Sequence, residues 1–257
     1  SYTPEVTMES MTLEQFASDA IEVTNYMRKR FKKDMIYIMA WSGGTPIALS
    51  AVAKAPELFH AYIAMAQITR QSESERIAYD YMLKWLSERN DQRSIKELKK
   101  YKDLETESDL VSFFNSGTRD YLMHKMGIGT MRSMKSVFRD IFVPVWTCRA
   151  YTLREKFNIW KSKLLFLPGT GLKTQALTKD FFVAYPELAL PVYFMCGKYD
   201  LTVNIDLTRD YYNRLNAPLK GFYIFGNSAH GPLFEEPERF REILVNDVLP
   251  SKIRHEK

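Results

Sequence analysis

The sequence predicts an α/β fold in which a helical insertion interrupts a mostly parallel sheet. Short apolar runs of strand length alternate with segments of helical periodicity near both ends of the chain. The runs are apolar throughout, as strands buried on both faces of a parallel sheet must be. Residues 67–187, between the two alternating regions, are rich in charged amphipathic helices and contain no strand series. That pattern is typical of an insertion lying over one edge of a sheet.

The first part of the predicted fold is a helix, a strand, a helix and a strand. Thr12 and Gln15 have the spacing of a capping pair, and apolar residues then recur at helical intervals over residues 13–32. The elements that follow are a strand at residues 35–40 (MIYIMA), a helix at 45–54 and a strand at 61–66 (AYIAMA).

The same alternation returns after the insertion. The predicted strands are residues 192–196 (VYFMC) and 221–225 (GFYIF), and the predicted helices are residues 205–215 and 237–248. We therefore expect one core made of residues 1–66 and 188–257. Residues 67–187 are expected to form a helical cap over the carboxyl ends of the strands.

Composition and charge exclude several classes of function. A chain of 257 residues with 46% hydrophobic and 26% charged residues is ordinary globular composition. The formal charge of +5 comes from basic residues interleaved with acidic ones, which argues against a nucleic-acid-binding surface. The apolar runs fall far short of the roughly 20 residues that a membrane span requires. The two cysteines, Cys148 and Cys196, are predicted to be reduced thiols, which favours a cytoplasmic location.

Ser42 is the candidate nucleophile. A serine hydroxyl needs exposure, a base within reach and donors for the oxyanion that forms on attack. Ser42 follows a predicted strand and precedes a predicted helix, and small residues at Ala40 and Gly44 allow the strained turn of a nucleophile elbow. Gly43 is expected to point its N–H at the oxyanion. The alternative interpretation is an ordinary turn whose serine caps the helix.

His230 is the candidate base among the four histidines of the chain. The others are His60, just before a predicted strand, His124, in the insertion, and His255, in the terminal tail. His230 alone lies in a loop directly after a predicted strand, where open α/β sheets place their chemistry. Asp200 is the candidate acid because it lies in the loop before, which gives the hydrolase order of serine, acid and histidine. Asp206 is the second choice.

The sequence predicts neither a metal nor an organic cofactor. Histidine and cysteine residues are too sparse and too scattered for a zinc site, and no glycine-rich phosphate loop is present.

These segments resemble the proline iminopeptidase-like branch of the α/β-hydrolase family. The similarity covers nearly the whole chain and runs through residues 56–67 (PELFHAYIAMAQ), 148–158 (CRAYTLREKFN), 191–203 (PVYFMCGKYDLTV) and 227–240 (NSAHGPLFEEPERF). The resemblance implies an α/β-hydrolase fold with a helical cap and a reaction through an acyl-enzyme intermediate. It also implies a small or short substrate: a peptide with a free amino terminus, an ester, an amide or another acyl compound.

Two departures from the family pattern concern the elbow. Ala40 stands where the first glycine is usual, and Trp41 stands where a histidine or another polar residue is common. Trp41 is bulky and apolar, so we expect it to reshape the floor of the substrate pocket. Tyr199, beside the candidate acid, is predicted to line the same pocket. The candidate carboxylates for a substrate ammonium are Glu73, Glu75 and Glu88.

The amino-terminal strands of the family and its glycine-rich oxyanion loop have no counterpart in this sequence. The strand at residues 35–40 would then lie at an unpaired, apolar edge, which native proteins avoid. We expect a preceding polypeptide segment or a separate chain to complete the sheet and to supply the second oxyanion donor. Two alternatives to a hydrolase stay open: a hydrolase-like binding or regulatory protein, and an acyltransferase or lactonase on the same scaffold.

Overall fold

Four parallel strands form the sheet in the part of the chain that the structure describes. A computed structural model describes residues 7–250 and orders the strands β1-β2-β3-β4. They are β1 (Ile36–Trp41), β2 (Phe59–Met65), β3 (Val192–Gly197) and β4 (Lys220–Phe225). All four predicted strands are confirmed, and their ends lie within two residues of the predicted ends. The central strands β2 and β3 are buried almost throughout, whereas β1 and β4 are half-buried because they lie at the edges.

Thirteen α-helices are described. They are α1 (Leu13–Phe31), α2 (Thr45–Lys54), α3 (Gln71–Ser87), α4 (Gln92–Leu98), α5 (Glu107–Phe114), α6 (Gly117–Met126), α7 (Val143–Thr147), α8 (Leu153–Lys161), α9 (Gly171–Thr178), α10 (Phe181–Ala184), α11 (Ile205–Arg214), α12 (Pro232–Glu235) and α13 (Pro237–Ile243). Helix α1 begins where the capping pair predicts, because the Thr12 hydroxyl accepts a hydrogen bond from the Gln15 N–H at 3.1 Å. It ends at Lys32, whose φ of 51° is left-handed.

Shorter helical turns join these elements. The 3₁₀ turns are Ser42–Gly44, Pro56–Leu58, Lys99–Leu104 and Leu167–Gly169, and the π-helical turns are Phe138–Phe142, Ser162–Phe166 and Leu244–Val248. The last of these continues α13, so the single helix predicted at residues 237–248 is a helix followed by a wider turn.

Residues 67–187, which connect β2 to β3 along the chain, form a helical layer. They contain α3 to α10 and, within this described stretch, no strand. Part of this layer has its own apolar cluster, in which Tyr79, Met82 and Phe113 are almost completely buried. A buried ion pair also ties α3 to α6, since Arg119 Nε lies 2.6 Å from a carboxylate oxygen of the fully buried Glu75. A charge at that depth is stable only with its partner.

Strand β1 lies at an edge of the sheet, as predicted. In the part of the chain that the structure describes, β1 pairs with β2 alone. The side chain of Met39 in this strand is 46% exposed. The strand that leads directly to Ser42 therefore presents a free backbone edge and an uncovered apolar side chain.

Both cysteines are free, and Cys196 is buried in β3. Burial raises the pKa of the Cys196 thiol well above its usual value, which makes it a packed and unreactive group. No helix among residues 7–250 combines the length and the apolar character that a membrane span requires.

Candidate active site

The turn at Ser42 has a strained backbone, as the predicted nucleophile elbow requires. Strand β1 ends at Trp41, and Ser42 follows with a φ of 53°, in the left-handed region that side chains disfavour. The carbonyl oxygen of Ser42 accepts a hydrogen bond from the Thr45 hydroxyl at 2.6 Å. The same hydroxyl accepts the Ile68 N–H at 3.0 Å, so the turn is fixed to the chain that leaves β2.

The small residues on either side of Ser42 face each other. A Cβ added at Gly44 would lie 3.8 Å from the Cβ of Ala40, which is an ordinary contact. Alanine at the first position of the elbow is therefore accommodated. Gly43 is exposed and lies in the 3₁₀ turn Ser42–Gly44 that leads into α2.

Asp200 and His230 form a buried pair. His230 Nδ1 lies 2.8 Å from Asp200 Oδ2, and the two residues are 4% and 2% exposed, respectively. Because an ionised carboxylate only accepts hydrogen bonds, Nδ1 is the donor in this pair, and in the neutral imidazole Nε2 then keeps its lone pair. Asp200 Oδ1 accepts the backbone N–H groups of Thr202 and Val203 at 2.8 and 2.9 Å, which fixes the carboxylate from its other side.

The second candidate acid lies elsewhere. Asp206 is in α11, its side chain is 77% exposed, and it lies 3.5 Å from Arg209. The structure therefore brings Asp200, and not Asp206, to the histidine.

Trp41 braces the loop that carries His230. Its indole Nε1 donates to the His230 carbonyl oxygen at 2.7 Å. Its ring also lies 5.7 Å from the imidazole and 5.1 Å from the ring of Phe234, measured between centroids. The bulky residue beside the candidate nucleophile thus connects the turn at Ser42 to the histidine loop.

Ser42 and His230 line one open cavity of about 360 Å³. Its lining residues are Trp41, Ser42, Asp120, His124, Thr130, Val137, Ile141, Lys163, Thr202 and His230. Among the described residues the His230 ring makes a hydrogen bond to Asp200 alone, so the serine and the imidazole share a cavity without a direct bond. Catalytic hydrogen bonds are often long before substrate binds and shorten in the complex.

Of the two residues predicted to line the substrate pocket, one lines this cavity. Trp41 lines the cavity, whereas Tyr199 is not among its lining residues and packs its ring 3.6 Å from the Arg132 guanidinium. Of the three candidate carboxylates, none lines the cavity: Glu75 is buried against Arg119, Glu73 lies 3.9 Å from Arg70, and Glu88 lies 3.7 Å from Arg89.

Sequence reasoning missed Asp120, His124 and Lys163, which all belong to the helical layer and line the same cavity as Ser42. His124 is buried, and its Nδ1 and Nε2 atoms lie 2.6 Å from the Asp120 carbonyl oxygen and 3.2 Å from the Thr130 hydroxyl. Asp120 precedes His124 by one helical turn on α6, so the spacing of four residues was the available signal.

The remaining histidines are away from this cavity or outside the described residues. His60 lies within β2, not before it as predicted, because the pairing of β2 with β1 already begins at Phe59. Its ring packs 5.1 Å from the ring of Tyr37. His255 lies outside residues 7–250. No group of histidine, cysteine and acidic residues in the described range is arranged to hold a metal ion.

Comparison with known proteins covers most of the chain. A model of the alpha/beta hydrolase fold family matches residues 7–237. The probable aminopeptidase YbaC of Bacillus subtilis (strain 168) is 28% identical over 259 residues, which cover 95% of this chain and 74% of that protein.

Solved structures share the fold at low sequence identity. Proline iminopeptidase of Mycobacterium smegmatis has a TM-score of 0.62 and 11% identity, covering 98% of this chain and 76% of that chain. VinJ has a TM-score of 0.62 and 14% identity, with coverage of 98% and 77%. Because the family model spans most of the sequence, this chain belongs to the alpha/beta hydrolase family, as its sequence predicts.

Proposed function

We propose that this protein is a serine hydrolase that acts through an acyl-enzyme intermediate. The observation that carries the proposal is the buried Asp200–His230 pair, whose histidine lines the same cavity as Ser42 at the end of β1. In the proposed reaction, His230 Nε2 takes the Ser42 hydroxyl proton as the oxygen attacks a carbonyl carbon. The imidazolium then gives that proton to the leaving group, and a water activated by the same nitrogen releases the acyl group.

Asp200 supports both halves of this reaction. It holds the Nδ1 proton, which leaves Nε2 free to act as the base, and its negative charge stabilises the imidazolium that forms. The two backbone N–H groups on its other oxygen keep it from rotating away. The carboxylate therefore sets both the tautomer and the orientation of the ring.

The oxyanion requires donors that are already in place when charge develops. Gly43 N–H, directly after the nucleophile, is the first proposed donor. We assign the second donor to a further polypeptide segment that pairs with the free edge of β1. A parallel strand added at that edge would end beside Ser42, so the loop after it could reach the oxyanion. Loss of one such donor lowers kcat by about 100-fold to 1000-fold.

The charges in the cavity favour a short peptide or aminoacyl substrate. Asp120 is 53% exposed, and its Oδ1 lies 3.4 Å from Arg119 Nη1, whereas the guanidinium of Arg119 makes two shorter bonds of 2.6 Å to Glu75. The Asp120 carboxylate is therefore available to a substrate ammonium, and Lys163 offers a positive charge in the same cavity. A short peptide carries an ammonium and a carboxylate that match these two groups. The aminopeptidase named among the relatives agrees with this choice.

Labelling of Ser42 by a fluorophosphonate tests the mechanism. We expect the probe to modify the full chain at Ser42 and to leave Ser42→Ala unmodified. Ser87→Ala is the matched control, because it makes the same change at an exposed serine of α3. A folded parent chain that is never labelled would overturn the mechanism and support a hydrolase-like binding or regulatory protein. An acyltransferase or lactonase would be labelled as well, and product analysis with acyl donors separates it from a hydrolase.

A substrate series tests the proposed substrate class. We expect aminoacyl amides to be cleaved with a lower KM than their N-acetylated forms, and Asp120→Asn to remove that difference. Glu88→Gln, an exposed carboxylate outside the cavity, should preserve it. A preference for short-chain esters that Asp120→Asn leaves unchanged would favour an esterase instead.

A further inference from the structure

A short segment of the helical layer contacts both loops of the proposed triad. Residues 127–132 follow α6 and reach the sheet edge. The Ile128 carbonyl oxygen accepts the N–H of Leu201, next to Asp200, and the Gly129 carbonyl oxygen accepts the N–H of His230, each at 3.3 Å. One turn of the insertion is thus bonded to the acid loop and to the base itself.

Glu235 links this segment to the histidine loop. Its Oε1 accepts the backbone N–H of Arg132 at 2.7 Å, and its Oε2 accepts the backbone N–H of Ala229 at 2.7 Å. Both bonds are short and involve a charged acceptor, which makes them stronger than neutral hydrogen bonds. Arg132 in turn lays its guanidinium 3.6 Å from the ring centroid of Tyr199, which precedes Asp200. The contacts therefore close a ring through the acid loop, the insertion and the base loop.

The neighbouring Glu236 forms hydrogen bonds to different residues than Glu235 does. Glu236 Oε2 accepts the Asn227 N–H at 2.9 Å and the Ser228 hydroxyl at 2.6 Å. These bonds lie within the histidine loop and the helix that follows it. Neither of them reaches the insertion. Glu235 instead joins the residue before His230 to the insertion, so it relates the position of the base to that of the helical layer.

We infer that Glu235 is a positioning residue through which residues 127–132 of the insertion hold Asp200 and His230 in the relative position that their hydrogen bond requires. The effect on hydrolysis rests on the proposed function, whereas the effect on the pair does not. An aligned hydrogen bond of 2.8 Å requires that the two loops keep a fixed separation, and a misplacement of about 1 Å costs about 100-fold in rate. Glutamine at position 235 keeps one acceptor oxygen but turns an NH₂ group towards the second N–H.

Two measurements on Glu235→Gln test the inference. The first is the far-downfield proton resonance of the hydrogen bond between His230 Nδ1 and Asp200. The second is the rate of fluorophosphonate labelling at Ser42. We expect the resonance to broaden or disappear, and labelling to slow by about 10-fold to 100-fold, with the urea midpoint little changed. Glu238→Gln, an exposed carboxylate of α13, is the control and should change neither.

A double variant separates positioning from a general loss of structure. In Asp200→Asn the hydrogen bond from His230 Nδ1 to a carboxylate is already lost, so adding Glu235→Gln should slow labelling no further. A resonance that survives unchanged in Glu235→Gln would overturn the inference, whatever the labelling rate. If the resonance is lost and the parent chain is never labelled, the positioning role stands and the serine-hydrolase mechanism fails.

Discussion

Ser42 holds a backbone conformation that its own side chain disfavours. The left-handed region costs a residue with a Cβ about 1–2 kcal/mol, and glycine enters it freely. We therefore expect Ser42→Gly to be more stable than Ser42→Ala by about 1 kcal/mol, after part of the relief is offset by the larger unfolded-state entropy of glycine. Urea denaturation of the two variants measures the difference. Equal urea midpoints would contradict a strained turn at Ser42.

The contacts of Asp200 predict the outcome of an isosteric change. In Asp200→Asn the amide oxygen must take the side that accepts the Thr202 and Val203 N–H groups, because both are donors. The amide NH₂ then points a donor at His230 Nδ1. Because Nδ1 must accept that hydrogen bond, the ring proton moves to Nε2. The proposed base loses its lone pair, and we expect kcat to fall by about 10,000-fold with the fold retained. Steady-state kinetics and circular dichroism check this, with the exposed Asp206→Asn as the control that keeps activity.

At the scale of single residues, the order of the candidate residues along the chain predicted where they lie. The helical pattern of the insertion did not predict which of its residues line the cavity. Ser42, Asp200 and His230 each follow a recognisable strand, so their edge of the sheet is determined by the topology alone. Asp120 lies on α6, which has buried residues on more than one side. A helix of that kind does not reveal which polar residue faces the cavity. Glu75 was a poor candidate for the opposite reason, since burial had already committed it to Arg119.

The contact between β3 and the histidine loop depends on the absence of a side chain at Gly197. A Cβ there would lie 1.7 Å from the Ala229 carbonyl oxygen, which is part of the backbone and cannot rotate away. We expect Gly197→Ala to destabilise the protein by about 1–3 kcal/mol or more, because the histidine loop must move. Labelling of Ser42 should slow as well, since the loop carries the base.

Gly226→Ala is the matched control for this prediction. Gly226 lies in the same loop, and a Cβ added there meets nothing within 4 Å. Urea denaturation and labelling rates of the two variants give the comparison. If Gly197→Ala behaves like Gly226→Ala, the close backbone approach does not exist in solution.

At the scale of elements, the strands were easier to predict than the helices of the insertion. A short apolar run between turn residues suits a buried parallel strand, and few alternatives bury it as well. The insertion consists of amphipathic helices, and amphipathicity specifies a buried face without naming the partner that covers it. The π-helical turns Phe138–Phe142 and Ser162–Phe166 have no signal in the hydrophobic period, because they arise where packing changes the register of a helix.

At the scale of the whole molecule, sequence order fixes the sheet and leaves the tertiary contacts of the insertion open. Each strand lies beside the strand that precedes it in sequence, and a crossover connection joins the two, which gives the order β1-β2-β3-β4. The bonds from residues 127–132 to the loops of Asp200 and His230 are different, because they join backbone atoms far apart in sequence. Backbone donors and acceptors are the same for nearly every residue type, so no residue pattern announces such a contact.

The free edge of β1 has a consequence for the chain in solution. An apolar edge strand with unpaired N–H and C=O groups is a template for pairing with another chain, and a charge on the strand suppresses that pairing. We expect the isolated chain to associate increasingly with concentration, and Met39→Lys to shift it towards the monomer. Sedimentation velocity over a concentration series measures this. Val183→Lys is the control, because Val183 is 76% exposed but lies on α10 in the helical layer. A parent chain that stays monomeric at every concentration would refute an accessible edge, and with it the proposal that a further segment pairs there.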